Sequence, residues 1–193
     1  MKHLLALFLL LVGTNVIAVD NAGLKAGAFD PPRVAPEIAW SDADGKALKL
    51  SQYRGKVVVL EFGFASCPEV CPVSLASLAA ARKMLGADAS NVQVVFVTVD
   101  PERDSAPKLR DFLTNFDSTF VGVTGTPNNL AAVRKDYGIT ATKHVYGKGK
   151  DDYSMDHSSY LYFIDREGKL RSLMPFGRPA KDIAHDLQIL LKK

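Results

Sequence analysis

Cys67 and Cys71, in the stretch FGFASCPEVCP, are the only two cysteines among 193 residues. A closely spaced thiol pair offers three chemistries: a disulfide staple, a redox couple, or part of a soft-metal site. A staple here closes a loop of about five residues and adds roughly 2 kcal/mol on the chain-entropy argument before strain, a modest gain for a domain long enough to build an ample core. Thiol–disulfide oxidoreductases usually place two residues between their cysteines. Here Pro68, Glu69 and Val70 make the spacing wider, which leaves room for a bridging ion. Two thiolates are soft ligands, and soft ligands select Cu(I) or Zn. Two protein ligands do not complete a site, so a third must come from elsewhere in the chain.

The histidines supply the candidates. His3 belongs to the N-terminal segment. His185 lies between Ile183 and Leu187 but off their stripe, and reads as solvated. His144 sits beside Lys143 and reads as an exposed loop residue. His157, in MDHSSYLYFID, stands at the junction of a long loop and a strong strand signal. Around it, Asp156 reads either as a partner that orients the imidazole or as a turn residue. Met155 is a gap filler or a transient soft ligand. In DPERD, Asp104 or Ser105 reads as a helix cap, and Asp100 as a group close to the cysteines. A thioredoxin-like peroxidase would need Thr or Ser three residues before its reactive cysteine. Phe64 and Pro68 occupy those positions and argue against that chemistry.

Several elements must position these groups. EIAWSDADGKALKL reads as a hairpin turning at Asp44-Gly45. VVVLEFGF reads as a strand buried on both faces, with Cys67 at its carboxyl end. VSLASLAAARKML follows as an amphipathic helix with Pro72 in its first turn and Gly86 ending it. A helix entrance favours thiolate, because its N–H groups and dipole stabilise negative charge. NVQVVFVTVD is a second buried strand. DSAPKLRDFLTNF is a helix with Pro107 in its first turn, TFVGVTG a short strand, and TPNNLAAVRKDYG a helix opened by Thr126-Pro127 and closed by Gly138. Residues 139–157 show no clear periodicity and read as a long irregular loop, with Ile139–Asp156 as a contact surface. SSYLYFID and KLRSLM form a late hairpin, and PAKDIAHDLQILLKK a final amphipathic helix. The order predicts an α/β, thioredoxin-like fold: a central, mostly parallel sheet with helices on both faces and an N-terminal β-hairpin extension.

MKHLLALFLLLVGTNVIA has the layout of a secretory signal, residues 1–18, with Val16 and Ala18 before a cut after Ala18. An uncleaved anchor is the alternative, although the apolar stretch through Val19 is short of the roughly 20 residues a span needs. Residues 19–33 read as a linker and 34–193 as the folded domain. Either N-terminal reading sends the body outside the cytoplasm, where thiols tend to be oxidised: to the periplasm, or anchored to the inner membrane and facing it. The net charge is +3, and removing Lys2 with the signal leaves +2. Basic residues are scattered, which argues against nucleic acid as a partner.

Four motifs in order, FGFASCPEVCPVSL, VTVDPERDSAPKL, VGVTGTPNNLAAVRKDYG and DHSSYLYFIDREGKL, resemble the Sco/SenC family over residues 34 to 192. The resemblance implies a copper-binding, thioredoxin-like protein that helps assemble the copper centre of cytochrome c oxidase. It carries the copper ligands onto Cys67, Cys71 and His157. The implied load is one ion per chain, as Cu(I) or Cu(II). The implied partners are a copper-accepting oxidase subunit or another periplasmic cuproprotein, together with a copper donor and a thiol reductant. Cys67 and Cys71 also form the redox pair of the alternative role, a thiol–disulfide reductase that keeps the acceptor's cysteines reduced. The family often has His just before the first cysteine. Ser66 stands there in this chain, which touches no ligand.

Overall fold

The computed structural model describes residues 23–41 and 47–192. The signal segment read at 1–18 and the turn at Asp44-Gly45 lie outside the described residues.

The sheet is built on β4 (Val57–Gly63) and β5 (Val92–Thr98), in which every residue is buried. Their near-continuous β-branched and aromatic runs suit strands covered on both faces. They pair in parallel, Val57 opposite Val92 through Gly63 opposite Thr98. β6 (Val121–Val123) continues the parallel set beyond β5. On the other side of β4, β9 (Tyr160–Ile164) runs antiparallel, followed by β10 (Lys169–Pro175) and β1 (Gly27–Val34). The order is β1-β10-β9-β4-β5-β6: a parallel core extended by antiparallel strands, as a thioredoxin-like α/β fold requires.

The register separates the two faces. Glu61 and Phe96 are partners and share one face. Phe96 packs against Phe112 of α2 (Ala106–Thr114), with ring centroids 6.1 Å apart. Glu61 meets Ser74 of α1 (Val70–Met84), and α4 (Ala180–Leu191) packs on α1. Phe62 and Tyr162 occupy the opposite face with Tyr137 of α3 (Pro127–Tyr137). The three rings stand 5.5–5.8 Å apart, and the Tyr162 hydroxyl donates to the Tyr137 carbonyl at 2.9 Å. Leu75 and Leu78 carry the apolar stripe of α1 into the core with no exposed surface, each worth about 1.5–3 kcal/mol of burial.

The helix punctuation matches the sequence. Ser105 accepts from the Lys108 N–H and Thr126 from the Asn129 N–H, and Gly138 closes α3 at φ 69°. The early hairpin is β2 (Ala39–Ser41) with β3 (Ala47–Lys49), Trp40 opposite Leu48.

Two segments differ from expectation. Most of β1 falls inside the stretch read as linker. Its Gly and Pro-Pro disguise a strand, yet an edge strand with a shift in register tolerates residues that cannot donate to a ladder. The chain just before it is also tied down, since the buried Asp186 carboxylate accepts from the Lys25 and Ala26 N–H groups. Residues 139–157 are not irregular. β7 (Ala141–Val145) and β8 (Tyr153–His157) form their own antiparallel pair, Ala141 opposite His157. The pair is not hydrogen-bonded into the main sheet. Its strands are largely exposed, so polar side chains hide the apolar alternation that marks buried strands.

Candidate metal centre

β4 ends at Gly63, and the chain turns through Phe64–Cys67, with the Cys67 N–H donating to the Phe64 carbonyl at 3.2 Å. α1 begins three residues later and places Cys71 in its first turn. Gly63 makes this crossing possible. A Cβ there would stand 2.8 Å from the Cys71 sulfur and 2.7 Å from the Phe96 ring, closer than atoms pack. Cys71 is fully buried, Cys67 partly so, and both are free thiols.

The Cys71 N–H points at the Cys67 sulfur at 3.4 Å. The two thiols are electrostatically unequal. The hydrogen bond from the Cys71 thiol, aided by His157 and by the N–H groups of Cys71 and Glu69, pulls the Cys67 pKa down to about 3 against the opposing effect of burial. Cys71 is pushed far up, first because its proton is the one held in that bond and then by burial. One shared proton therefore sits on the inner sulfur, and the outer sulfur at the helix entrance holds the charge.

His157 ends β8 with its Nε2 3.9 Å from the Cys71 sulfur. Its ring meets Phe64 edge-on, with centroids 5.9 Å apart. Its Nδ1 lies 2.9 Å from the Ser158 carbonyl oxygen. A carbonyl only accepts, so this contact takes the Nδ1 proton and turns Nε2 toward the thiols. The backbone thus supplies the orienting oxygen, which one of the two sequence readings had placed on Asp156. Asp156 instead pairs with His144 at 3.0 Å on the exposed hairpin. His185 lies on α4 beside Asp186, and neither His144 nor His185 joins the cysteines. Met155 packs against the core as a filler.

The acids of DPERD tie this region together. Asp104 is fully buried, accepts from the Ala65 N–H at 2.9 Å and the Thr98 hydroxyl at 2.7 Å, and so pins the cysteine loop to the end of β5. Its reading as a helix cap is corrected: Ser105 fills that place. Lys108 reaches the Ser66 hydroxyl at 3.1 Å. Asp100 accepts from the Tyr153 hydroxyl at 2.7 Å and from Arg103 Nε at 2.5 Å. Glu61 lies buried beneath the cysteines, and desolvation raises its pKa to about 8 despite the Ser74 hydrogen bond.

Cys67, Cys71 and His157 thus come together, bonded to one another rather than splayed around a centre. Among the described residues no group of three or more His, Cys, Asp or Glu stands in a preformed metal-holding arrangement. The crevice beside His157, walled by Glu61, Val70, Ser74 and Tyr160, has a volume of only about 10 Å³. A far larger cleft of about 550 Å³ between β2 and α3 has neither thiol nor imidazole in its lining. Sequence reasoning gave no role at the site to Phe64, Arg103 or Tyr153. The alternation of Tyr153, Met155 and His157 with Ser154 and Asp156 is a period-two signal that would have revealed β8 and its inward-facing tyrosine.

Residues 29–192 match the family model described as SCO1/SenC. A SCO2-like protein of Rickettsia prowazekii (strain Madrid E) is 30% identical over 162 residues, which span 82% of this chain and 79% of that protein. Among solved structures, apo Sco1 from Thermus thermophilus superposes with a TM-score of 0.79 at 32% identity, over 87% of this chain and 97% of that one. Bradyrhizobium japonicum ScoI with copper bound superposes with a TM-score of 0.73 at 33% identity, over 82% and 99%.

Proposed function

The chain belongs to the SCO1/SenC family, and we propose that it is a copper metallochaperone. It takes one copper ion on Cys67, Cys71 and His157 and passes it by ligand exchange to a copper-accepting subunit of cytochrome c oxidase, or to another periplasmic cuproprotein. The observation that carries this reading is the convergence of two reduced sulfurs and one imidazole Nε2, the last 3.9 Å from Cys71. Two thiolates and an imidazole satisfy Cu(I) in a trigonal shell, and Cu(II) with one further ligand. Uptake releases the Cys71 proton, because the metal needs both sulfurs deprotonated. Three ligands at a half-open site also let the ion leave, unlike a closed four-ligand cage. The reading includes export of the chain through its N-terminal segment, a separate copper donor, and a thiol reductant that keeps the pair open.

The experiment is copper stoichiometry on the reduced protein and three variants. The wild type binds one equivalent and, as Cu(II), shows a sulfur-to-copper charge-transfer band. Cys67→Ser and Cys71→Ser abolish it, and His157→Ala weakens it while leaving the dithiol able to reduce a test disulfide. Full copper affinity in His157→Ala overturns the ligand set. A second reading, a thiol–disulfide reductase acting on the acceptor, draws on the unequal acidity of the two thiols, which suits an attacking outer sulfur and a resolving inner one. It prevails if His157→Ala loses disulfide exchange and keeps copper.

A further inference from the structure

The imidazole arrives on an element with few ties to the body of the fold. The β7–β8 pair makes no ladder with the main sheet; the backbone rejoins the body just past His157, where the Ser159 carbonyl accepts from the Phe176 N–H at 3.0 Å, and the rest of the hairpin depends on side-chain ties. Arg103, in the loop after β5, makes several of those ties. Its Nε is held by Asp100 at 2.5 Å. One terminal nitrogen donates to the backbone carbonyls of Tyr153 at 3.0 Å and Asp151 at 3.3 Å, both on the hairpin. Its guanidinium lies 3.7 Å over the Tyr153 ring. It also comes within 5.8 Å of the centre of Phe64, the ring that abuts His157. Tyr153 returns the link by donating to the other oxygen of Asp100 at 2.7 Å. Beside them Lys143 of β7 pairs with Glu102 at 2.6 Å and lies 3.8 Å over the Tyr153 ring.

We propose that Arg103 is a positioning residue that fastens the β7–β8 hairpin to the cysteine loop and so sets the place of His157 against the two sulfurs. The inference rests on the copper reading for its consequence, not for its geometry. The planar fork is what the role needs: one edge takes a carboxylate, another takes carbonyls, and the face stacks on an aromatic ring. Lysine has the charge but neither the fork nor the plane, so it cannot replace all three contacts. Asp100 orients the fork, and the Tyr153 hydroxyl locks Asp100.

Two measurements test it. The first needs no metal: amide hydrogen exchange on the reduced protein. Arg103→Ala and Arg103→Lys are expected to speed exchange in Ala141–Val145 and Tyr153–His157 while leaving β4 and β5 protected. Tyr153→Phe gives a smaller effect in the same segments, and Arg110→Ala, on the exposed side of α2, gives none. Unchanged hairpin exchange in both Arg103 variants overturns the proposal, as does uniform acceleration over the whole chain, which marks a merely structural residue. Should Arg103→Ala fail to fold, Arg103→Lys and Tyr153→Phe decide the matter. The second is a double-mutant cycle on Cu(II) affinity. Arg103→Ala is expected to weaken binding roughly 10- to 100-fold, as loss of an outer-shell contact does, and to shift the charge-transfer band. In a His157→Ala background the same change is expected to do little, because the residue acts through that imidazole. Equal losses in both backgrounds overturn the proposal. If the wild type takes up no copper, the copper reading fails while the exchange experiment still judges the fastening role.

Discussion

At the scale of single residues, the site depends on where one proton sits. Cys67 and Cys71 are chemically identical in the chain, and the fold makes them opposites: the outer sulfur accepts from the Cys71 side chain and backbone at a helix entrance, and the inner one is sealed among apolar neighbours. The sign of the consequence follows. A thiol whose pKa is lowered stays ionised as pH falls until the lowered value is reached, so Cys67 remains thiolate throughout the mildly acidic range. A free thiol with pKa about 8.5 would be ionised to roughly one part in three thousand at pH 5. Iodoacetamide at pH 5 is therefore expected to label Cys67 and spare Cys71, with mass spectrometry of the digested protein as the readout. Comparable labelling of both, or none of either until pH 8, contradicts the assigned asymmetry. The orientation of His157 is settled at this scale too, by a backbone carbonyl and not by the acid beside it in sequence.

At the scale of elements, the crossing of β4 into α1 brings the inner sulfur against the sheet. Gly63 ends a strand whose last side chain, were there one, would strike both the Cys71 sulfur and the Phe96 ring. Its φ is not in the left-handed region, so the requirement is space alone. Gly63→Ala is expected to push the first turn of α1 outward and lower stability by about 1–3 kcal/mol, the usual range for overpacking. It should also diminish the difference in reactivity between the thiols. Urea denaturation and the labelling experiment measure the two effects; a variant as stable as the wild type shows that the helix start yields freely. The hairpin β7–β8 is the contrasting element. It was read as irregular because its polar strands carry only a faint alternation, and its position depends on contacts with the DPERD loop from another part of the chain.

At the scale of the whole molecule, the buried carboxyl of Glu61 links the site to overall stability. Its folded pKa is raised to about 8 from an ordinary value of 4.5 by desolvation. Below the ordinary value both folded and unfolded chains hold the proton, and the stability is fully present. Between that value and about 8 only the unfolded chain releases it, so stability falls as pH rises through this window. Glu61→Gln removes the titration. The variant is expected to gain on the wild type steadily between pH 4.5 and 8 in urea midpoints, with parallel profiles refuting the assignment. The domain reading shifts at this scale as well. Part of the segment taken for a linker is an edge strand on β10, and the buried Asp186 anchors the residues just before it to α4.

What the sequence determined by itself was whatever short-range patterning can encode. The apolar runs of β4 and β5, the cap at Thr126, a helix start at Asp104 or Ser105, the αL glycine at 138 and the thiol pair at a helix entrance all follow from neighbours within a few positions. Order along the chain then implied the thioredoxin-like layering. The sequence also pointed to His157 among the three histidines, through its place before a strong strand and through the family resemblance; the tertiary structure alone decided which oxygen orients it, that Asp104 holds the cysteine loop instead of capping a helix, and that Arg103 grips the β7–β8 hairpin. Those outcomes depend on contacts between residues tens of positions apart. Local propensity does not register such contacts, because their energy exists only once the sheet has brought its strand ends together.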